Sequence, residues 1–550
     1  MAPRPLLSWL ADPSSGHGIH FARNDDEWEF WSYDRLATLT REVAAGLVAL
    51  GAPPGSVVTI VQRSSPQFVA TLFGAMAAGC VPSPAAPPQT FQNTGTYATH
   101  LTGLMTSAGA RTVVADPVLV DELRPPATQA GVDRVVDVET VRAAAAGDEG
   151  RAPADLALLQ FTSGSSGTAR GIRVPFPALE ANVDAIRGWL EMTPDDPTAS
   201  WLPAHHDMGL IGCLVTPVVN GSDVWLMQPE QFVQRPLRYL RCFGERGARL
   251  TAMPNFGLSY IARRVKPRDV EKFDLSAWRA VIVGAERLDA DAFDAFYRLL
   301  APQGFSRRAV LPAYGLAEST LAVTGLPLAE EWTTLEVAPE DLALGRKLSP
   351  RAVADGGQEL IGCGPPLGGA TVTIHDEDGA ALPDDVVGEI HVHGPSLAAG
   401  YITERPGSSS FVDGALRSGD AGFLHDGQLY VLGRLGDSMK VRGRSVFAED
   451  VEAALAATGI PPLRVVALLG ERNGRPTAVG LIEQPQPEWL PAAHEVLARR
   501  TEGAEIVLVA GDRGAIARTS SGKPKRRHLW RQFLDNRLPG RAMDQAGGLR

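Results

Sequence analysis

Over roughly the first 130 residues, hydrophobic positions alternate between helical and extended spacing, and this alternation constrains the fold more than any other feature. Leu36, Leu39, Val43, Leu47 and Leu50 recur at near-helical intervals, and Gly51 is a natural stop. Val57–Val61 then reads as a buried strand, Phe68–Ala78 as a helix and Thr112–Ala115 as another strand. The pattern resumes at Val183–Leu190, Asp223–Met227, Leu237–Phe243 and Ala280–Val283. Strand and helix in succession predict parallel sheet covered by helices. Pro203, Pro217, Pro254 and Pro312 fall at or near element edges, where a missing N–H costs least.

Past residue 360 the texture changes. Ala370–His375, Gly388–His393 and Gln428–Leu432 are short β-type runs separated by Gly, Pro and Asp, which predict a small antiparallel sheet or barrel. Beyond Val441 comes a compact α+β pattern: helix Ala448–Ala457, strands Arg464–Leu469 and Thr477–Glu483, helix Pro491–Arg500 and strand Glu505–Ala510. Gly433–Asp437 separates the two textures. The expected architecture is a large α/β N-terminal domain, residues 1–434, with two sheet-and-helix subdomains and a small β-barrel-like subdomain. A smaller, mobile α+β domain, residues 435–550, would follow. The last ten or so residues should fray.

Composition narrows the function. The 550 residues carry 52 basic and 63 acidic side chains, a net charge of −11, which argues against binding a nucleic-acid backbone. Cys80, Cys213, Cys242 and Cys363 lie far apart with no CxxC pair, as expected of reduced, buried thiols and not of a zinc site. Leu6–Ala11 is too short for a signal-peptide core, and no run approaches the ~18 apolar residues of a membrane span. A cytoplasmic protein is expected. Lysines are few (Lys266, Lys272, Lys347, Lys440, Lys523 and Lys525), so each is of interest.

Several segments carry groups suited to chemistry. Thr162, Ser163, Gly164, Ser165, Ser166, Gly167 and Thr168 follow the apolar run Leu156–Phe161. Such a loop wraps N–H and O–H donors around phosphate oxygens, or is simply a polar turn. It is not a Walker loop, because no Lys-Ser/Thr follows Gly167. His205, His206 and Asp207 stand side by side, so they either place a histidine near an anion or cap a helix with Asp207. Tyr314–Glu318 ends a β-like run, giving an aromatic to stack on a base and a carboxylate for Mg²⁺, or merely a helix start. Asp420 offers a carboxylate in a turn, for ribose hydroxyls or as an ordinary cap. Thr519–Lys525 presents Lys523 on a loop, either to neutralise a developing anion or as part of a solvated basic tail, Lys523–Arg527. His391 and His393 share a strand face without an evident third ligand. G-x-S-x-G, H-E-x-x-H and G-x-G-x-x-G do not occur, so serine hydrolase, zincin and Rossmann chemistry have no support.

The order of these segments resembles that of the adenylate-forming (ANL) superfamily. The resemblance runs through Leu159–Gly171, Gly284-Ala285-Glu286, Tyr314–Glu318, Gly419-Asp420, Gly433–Asp437 and Thr519–Lys523. Within it the chain is most similar to the fatty acyl-AMP ligases, on Val81–Pro88, His206–Leu210, Phe232–Leu237, Met253–Phe256 and Leu311–Ser319. The 44-residue interval from Glu318 to Gly362 resembles the insertion that marks those ligases and hampers the domain movement needed for free CoA. The chain departs from the superfamily pattern with Arg170 in place of lysine, Phe176 in place of histidine, and Ser445 and Ala448 in place of Asn and Pro after Arg442-Gly443.

The resemblance implies ATP-dependent conversion of a carboxylic acid, most readily a fatty acid, to an acyl-adenylate with release of pyrophosphate. Transfer to the phosphopantetheine thiol of a separate acyl or peptidyl carrier protein would follow. Thr162–Thr168 would hold the β- and γ-phosphates, with Mg²⁺ on Glu318. Gly284, Ala285, Glu286, Tyr314 and Gly315 would frame the adenine, and Asp420 and Arg434 the ribose. Lys523 would bridge the α-phosphate and carboxylate, His206 would stand beside them, and Asp437 would be the hinge. Met208, Gly209, Ile211, Met253 and Gly257 are expected near the acyl chain. An acyl-CoA ligase and a catalytically silent adenylate-fold binding protein are the competing expectations.

Overall fold

The computed structural model describes residues 6–24, 26–88, 94–145, 151–162, 170–355, 357–403, 409–441, 444–519 and 522–543. The expected alternation is present. Leu36, Leu39, Val43 and Leu47 are buried on the helix Tyr33–Ala49, which Ser32 caps by accepting from the Arg35 N–H. Strand Val57–Val61, helix Pro66–Ala77 and strand Ala110–Ala115 follow. Val57–Val61 pairs in parallel with Val81–Pro84 on one side and Ala110–Ala115 on the other.

The larger sheet holds eight strands among the described residues. Its parallel centre runs from Val224–Leu226 through Thr198–Ser200, Leu250–Met253 and Ala280–Val283 to Val310–Gly315. The antiparallel strands Ala322–Gly325 and Trp28–Ser32 close its edges. Ligand sites in such sheets gather at the carboxyl ends of the strands, and here those ends carry Gly284–Glu286 and Tyr314–Glu318.

The antiparallel run beyond residue 360 forms a five-stranded sheet, with Thr371–His375 and Gly388–His393 next to each other. Asp420 does not sit in a turn as expected. It lies within the long strand Ala415–His425, opposite Arg434. From Met439 onward the chain builds its own cores: Val451, Leu455 and Leu497 share one, and Val479, Leu529 and Phe533 another. The interval after Glu318 contains a two-stranded sheet, Thr334–Val337 with Gln358–Ile361. Its Val337, Leu342 and Leu360 pack with Phe423, Tyr430 and Phe447.

All four cysteines are buried and free, and burial pushes the Cys213 thiol up to about 11. Among the described residues, no helix is long and apolar enough to cross a membrane. The phosphate-loop residues Ser163–Thr168, the Arg442-Gly443 turn and the last residues, 544–550, lie outside the described residues.

Candidate active site

Three elements converge on Asp420. Antiparallel pairing sets Arg434 across from it, and the large sheet delivers Tyr314 at the end of Val310–Gly315. The Tyr314 hydroxyl donates to Asp420 Oδ2 at 2.7 Å, and Arg434 Nε lies 2.9 Å from Oδ1. Burial pushes the Asp420 carboxyl above its usual range, while Arg434 pulls it back. A carboxylate gripped at both oxygens keeps one orientation, with lone pairs left for a pair of vicinal hydroxyls.

Gly284–Glu286 leaves the neighbouring strand at the same level. A Cβ on Gly284 would sit 2.7 Å from the Ala313 carbonyl oxygen, so glycine is required for the crossing. Ala285 has φ +68°, a left-handed conformation that costs a non-glycine residue of order 1 kcal/mol or more. The turn exposes the Ala285 carbonyl, which accepts from the Lys523 ammonium. Glu286 Oε1 accepts from the Phe256 N–H at 3.3 Å. The Lys523 charge also acts on His206, Glu286 and Asp420.

His206 and its neighbour His205 precede a wide, π-type helical segment, Met208–Val215, capped by Asp207 accepting from the Met208 N–H at 2.8 Å. Asp207 is thus the cap that the sequence allowed. Desolvation holds His205 down to about 3, and its Nε2 is buried with no partner. Burial and the Lys523 charge lower His206, against Asp207.

Glu318 is buried in the tight turn Ala317–Ser319. Its Oε1 accepts from the Tyr401 hydroxyl at 2.6 Å and from the Ser409 hydroxyl at 3.1 Å. The Arg170 guanidinium lies 3.3 Å over the Tyr401 ring, tying the arginine to the same cluster. Thr320, two residues on, has φ +67°, a genuine outlier for a β-branched residue and a mark of stored strain beside the site. Thr162 and Arg170 are register partners in the antiparallel pair Leu156–Thr162/Arg170–Pro175.

An apolar cavity opens beside Gly284, Ala285, Tyr314 and Gly315 and extends to Thr198 and Leu250. Leu250 pairs with Ala280, four residues before Gly284, so at ~3.3 Å per residue the cavity runs about 13 Å along the strands. Met208 lines it, together with Cys213 and Trp189. The other expected acyl-pocket residues do not. Gly209 faces the Pro203 carbonyl, Ile211 joins the core with Leu210 and Leu214, and Gly257 closes on Met253 and Trp201. The wide helix turns Cys213, not Ile211, toward the cavity, a rotation no 3.6-residue period foretells. Ile186, Trp189 and Leu190, at helical spacing, were its sequence signal.

Sequence reasoning also missed Arg526. It does not belong to a solvated tail: it is partly buried, its side chain 14% exposed, at the start of the helix Arg526–Leu534. It donates to Glu449 at 2.8 Å and Glu452 at 2.7 Å, and lies 3.4 Å from Asp437. Asp437 is itself buried in the turn Leu435–Asp437 between the two cores. Across the cleft, Arg287 pairs with Asp450, which also accepts from Gln358 at 3.0 Å.

Tyr314, Asp420 and Arg434 thus stand beside an apolar cavity, with the Lys523 ammonium reaching toward it from a different core. The model of the AMP-binding enzyme family matches residues 14–402, and this chain belongs to that family. It is 31% identical over 541 residues to a Caulobacter vibrioides protein provisionally named an acyl-CoA synthetase, covering 94% of this chain and 93% of that one. It is 30% identical to JamA of Moorena producens, a medium-chain-fatty-acid–[acyl-carrier-protein] ligase, over 86% and 84% of the two chains. A solved structure from work on fatty acyl-adenylate ligases of E. coli and L. pneumophila superposes with a TM-score of 0.88 at 27% identity, over 96% of this chain and 97% of that one.

Proposed function

We propose that this enzyme activates a fatty acid with ATP, forming the acyl-adenylate and pyrophosphate, and then passes the acyl group to the phosphopantetheine thiol of a separate carrier protein. The observation that carries this reading is the approach of Lys523 to Ala285, where the nucleotide frame meets the apolar cavity. A carboxylate oxygen attacks the α-phosphorus in line, the bond to the bridging oxygen breaks, and pyrophosphate leaves with the electron pair. Two anions meet in this step, so the protein's task is positioning and charge neutralisation. Lys523 supplies the charge between the α-phosphate and the carboxylate. Asp420 holds the ribose, Tyr314 and Gly284–Glu286 frame the base, and Thr162–Thr168 take the β- and γ-phosphates.

Glu318 is the carboxylate that would hold Mg²⁺. No cluster of three or more ligating side chains stands among the described residues. One oriented carboxylate suits an ion that completes its octahedron with substrate phosphates and water. When bound, the ion neutralises phosphate charge.

The insertion supports the choice of acceptor. Val337, Leu342 and Leu360 share a core with Phe447 of the small unit, so reorienting that unit exposes apolar surface worth about 1.5–3 kcal/mol for the phenylalanine alone. An acceptor drives such a change only by its differential affinity for the rotated state. A docking protein has more interface for this than free CoA. The test is ATP–pyrophosphate exchange with a panel of carboxylic acids, followed by thioester assay with carrier protein and with CoA. Exchange with no acid would return the chain to a silent binding role, and equal thioester formation on CoA would make it an acyl-CoA ligase.

A further inference from the structure

We infer that Trp189 is the partition that limits how long an acyl chain this enzyme accepts. The inference rests on the fatty-acid reading above. Trp189 ends the helix Phe176–Trp189 and is half-buried. One side of it lines the apolar cavity that runs from Gly284 and Tyr314; another lines an open surface depression with Asp184, Gly188 and Gly368. Its indole is pinned: Nε1 donates to the Leu326 carbonyl at 2.7 Å. The ring also lies flush on Gly325, where a Cβ would come within 2.3 Å of it. A rigid ring between an apolar cavity and solvent stops a chain that would otherwise grow past it. Removing the ring joins the cavity to the depression and gives the ω-end of a longer chain a way out to water.

The experiment is ATP–pyrophosphate exchange over saturated fatty acids of increasing length, using the full-length wild type and the Trp189→Phe, Trp189→Leu and Trp189→Ala variants. Wild type and Trp189→Phe should share one length cut-off. Measured against each variant's own rate on acids below the cut-off, Trp189→Leu and Trp189→Ala should turn over acids beyond it about tenfold or more faster than wild type does. Exchange on the short acids reports that each variant is folded, and the leucine variant serves where alanine leaves too large a hole. An unchanged cut-off in a variant that still turns over short acids overturns the inference. A wild type that exchanges with no fatty acid overturns the substrate reading instead.

Discussion

The Lys523 ammonium donates to the backbone carbonyl of Ala285, 238 residues earlier in the chain. Ala285 offers that carbonyl only because its backbone is left-handed, and the lysine arrives on a different core from the one that carries the sheet. In the function proposed above, this is the contact that the first half-reaction needs.

Lys523→Ala should cut adenylate formation by about a hundredfold or more, since losing one donor aimed at a developing anion costs ~2.7–4 kcal/mol of barrier. ATP–pyrophosphate exchange measures it. An exchange rate equal to wild type would remove the lysine from the chemistry.

Asp437→Pro should leave exchange largely intact and block thioester formation. The side chain is buried beside Arg526 and Arg527 in the turn Leu435–Asp437, and proline would stiffen the backbone at the proposed hinge. Single-turnover assays that follow adenylate and thioester separately distinguish the two steps; thioester at the wild-type rate places the hinge elsewhere.

Arg526→Met should destabilise the small unit by about 1–3 kcal/mol, because Glu449 and Glu452, partly buried, would lose the cation they hydrogen-bond. Chemical denaturation reads the change. The triple variant Arg526→Met/Glu449→Gln/Glu452→Gln should regain much of the loss, since only Asp437, still beside Arg527, then keeps its charge there.

Acid should weaken the fold through His205. Its folded pKa is lowered to about 3, so between roughly pH 6.5 and 3 the unfolded chain binds a proton that the folded chain refuses. Stability from this group is complete above pH 6.5 and is lost as pH falls, amounting to about 2 kcal/mol by pH 5. His205→Gln should flatten that limb of a denaturation-midpoint profile between pH 8 and pH 5, and a limb of unchanged slope would show that other groups set it.

Legibility followed locality. Helix Ala448–Ala457 was readable to its ends and the strand Val57–Val61 to the residue, because hydrophobic period and flanking glycine act within a few residues. Asp420 looked like a turn residue because Ser418, Gly419 and Asp420 favour turns in isolation. Pairing with Gln428–Arg434 overrides that preference. Arg526 sat in a run of basic residues that local charge reads as solvated, whereas two glutamates from the helix Ala448–Ala457 bury it. Gly257 and Met253 were placed by motif near the acyl chain; in the structure Gly257 packs directly against Met253 and Trp201 and neither lines the apolar cavity, a packing that no local pattern encodes.

What the amino-acid sequence determined by itself was the alternation that makes a parallel α/β sheet, the change of texture beyond residue 360 and the order of the segments that resemble the family's motifs, from Thr162 through Gly284, Tyr314 and Asp420 to Lys523. Each is written in short-range periodicity or turn chemistry. The tertiary structure alone decided that Lys523 meets Ala285, that three carboxylates surround Arg526 and that Trp189 walls the cavity. Those are contacts between segments over seventy, and in places over two hundred, residues apart, and their partners are chosen by how layers pack and where side chains point, which no local period encodes.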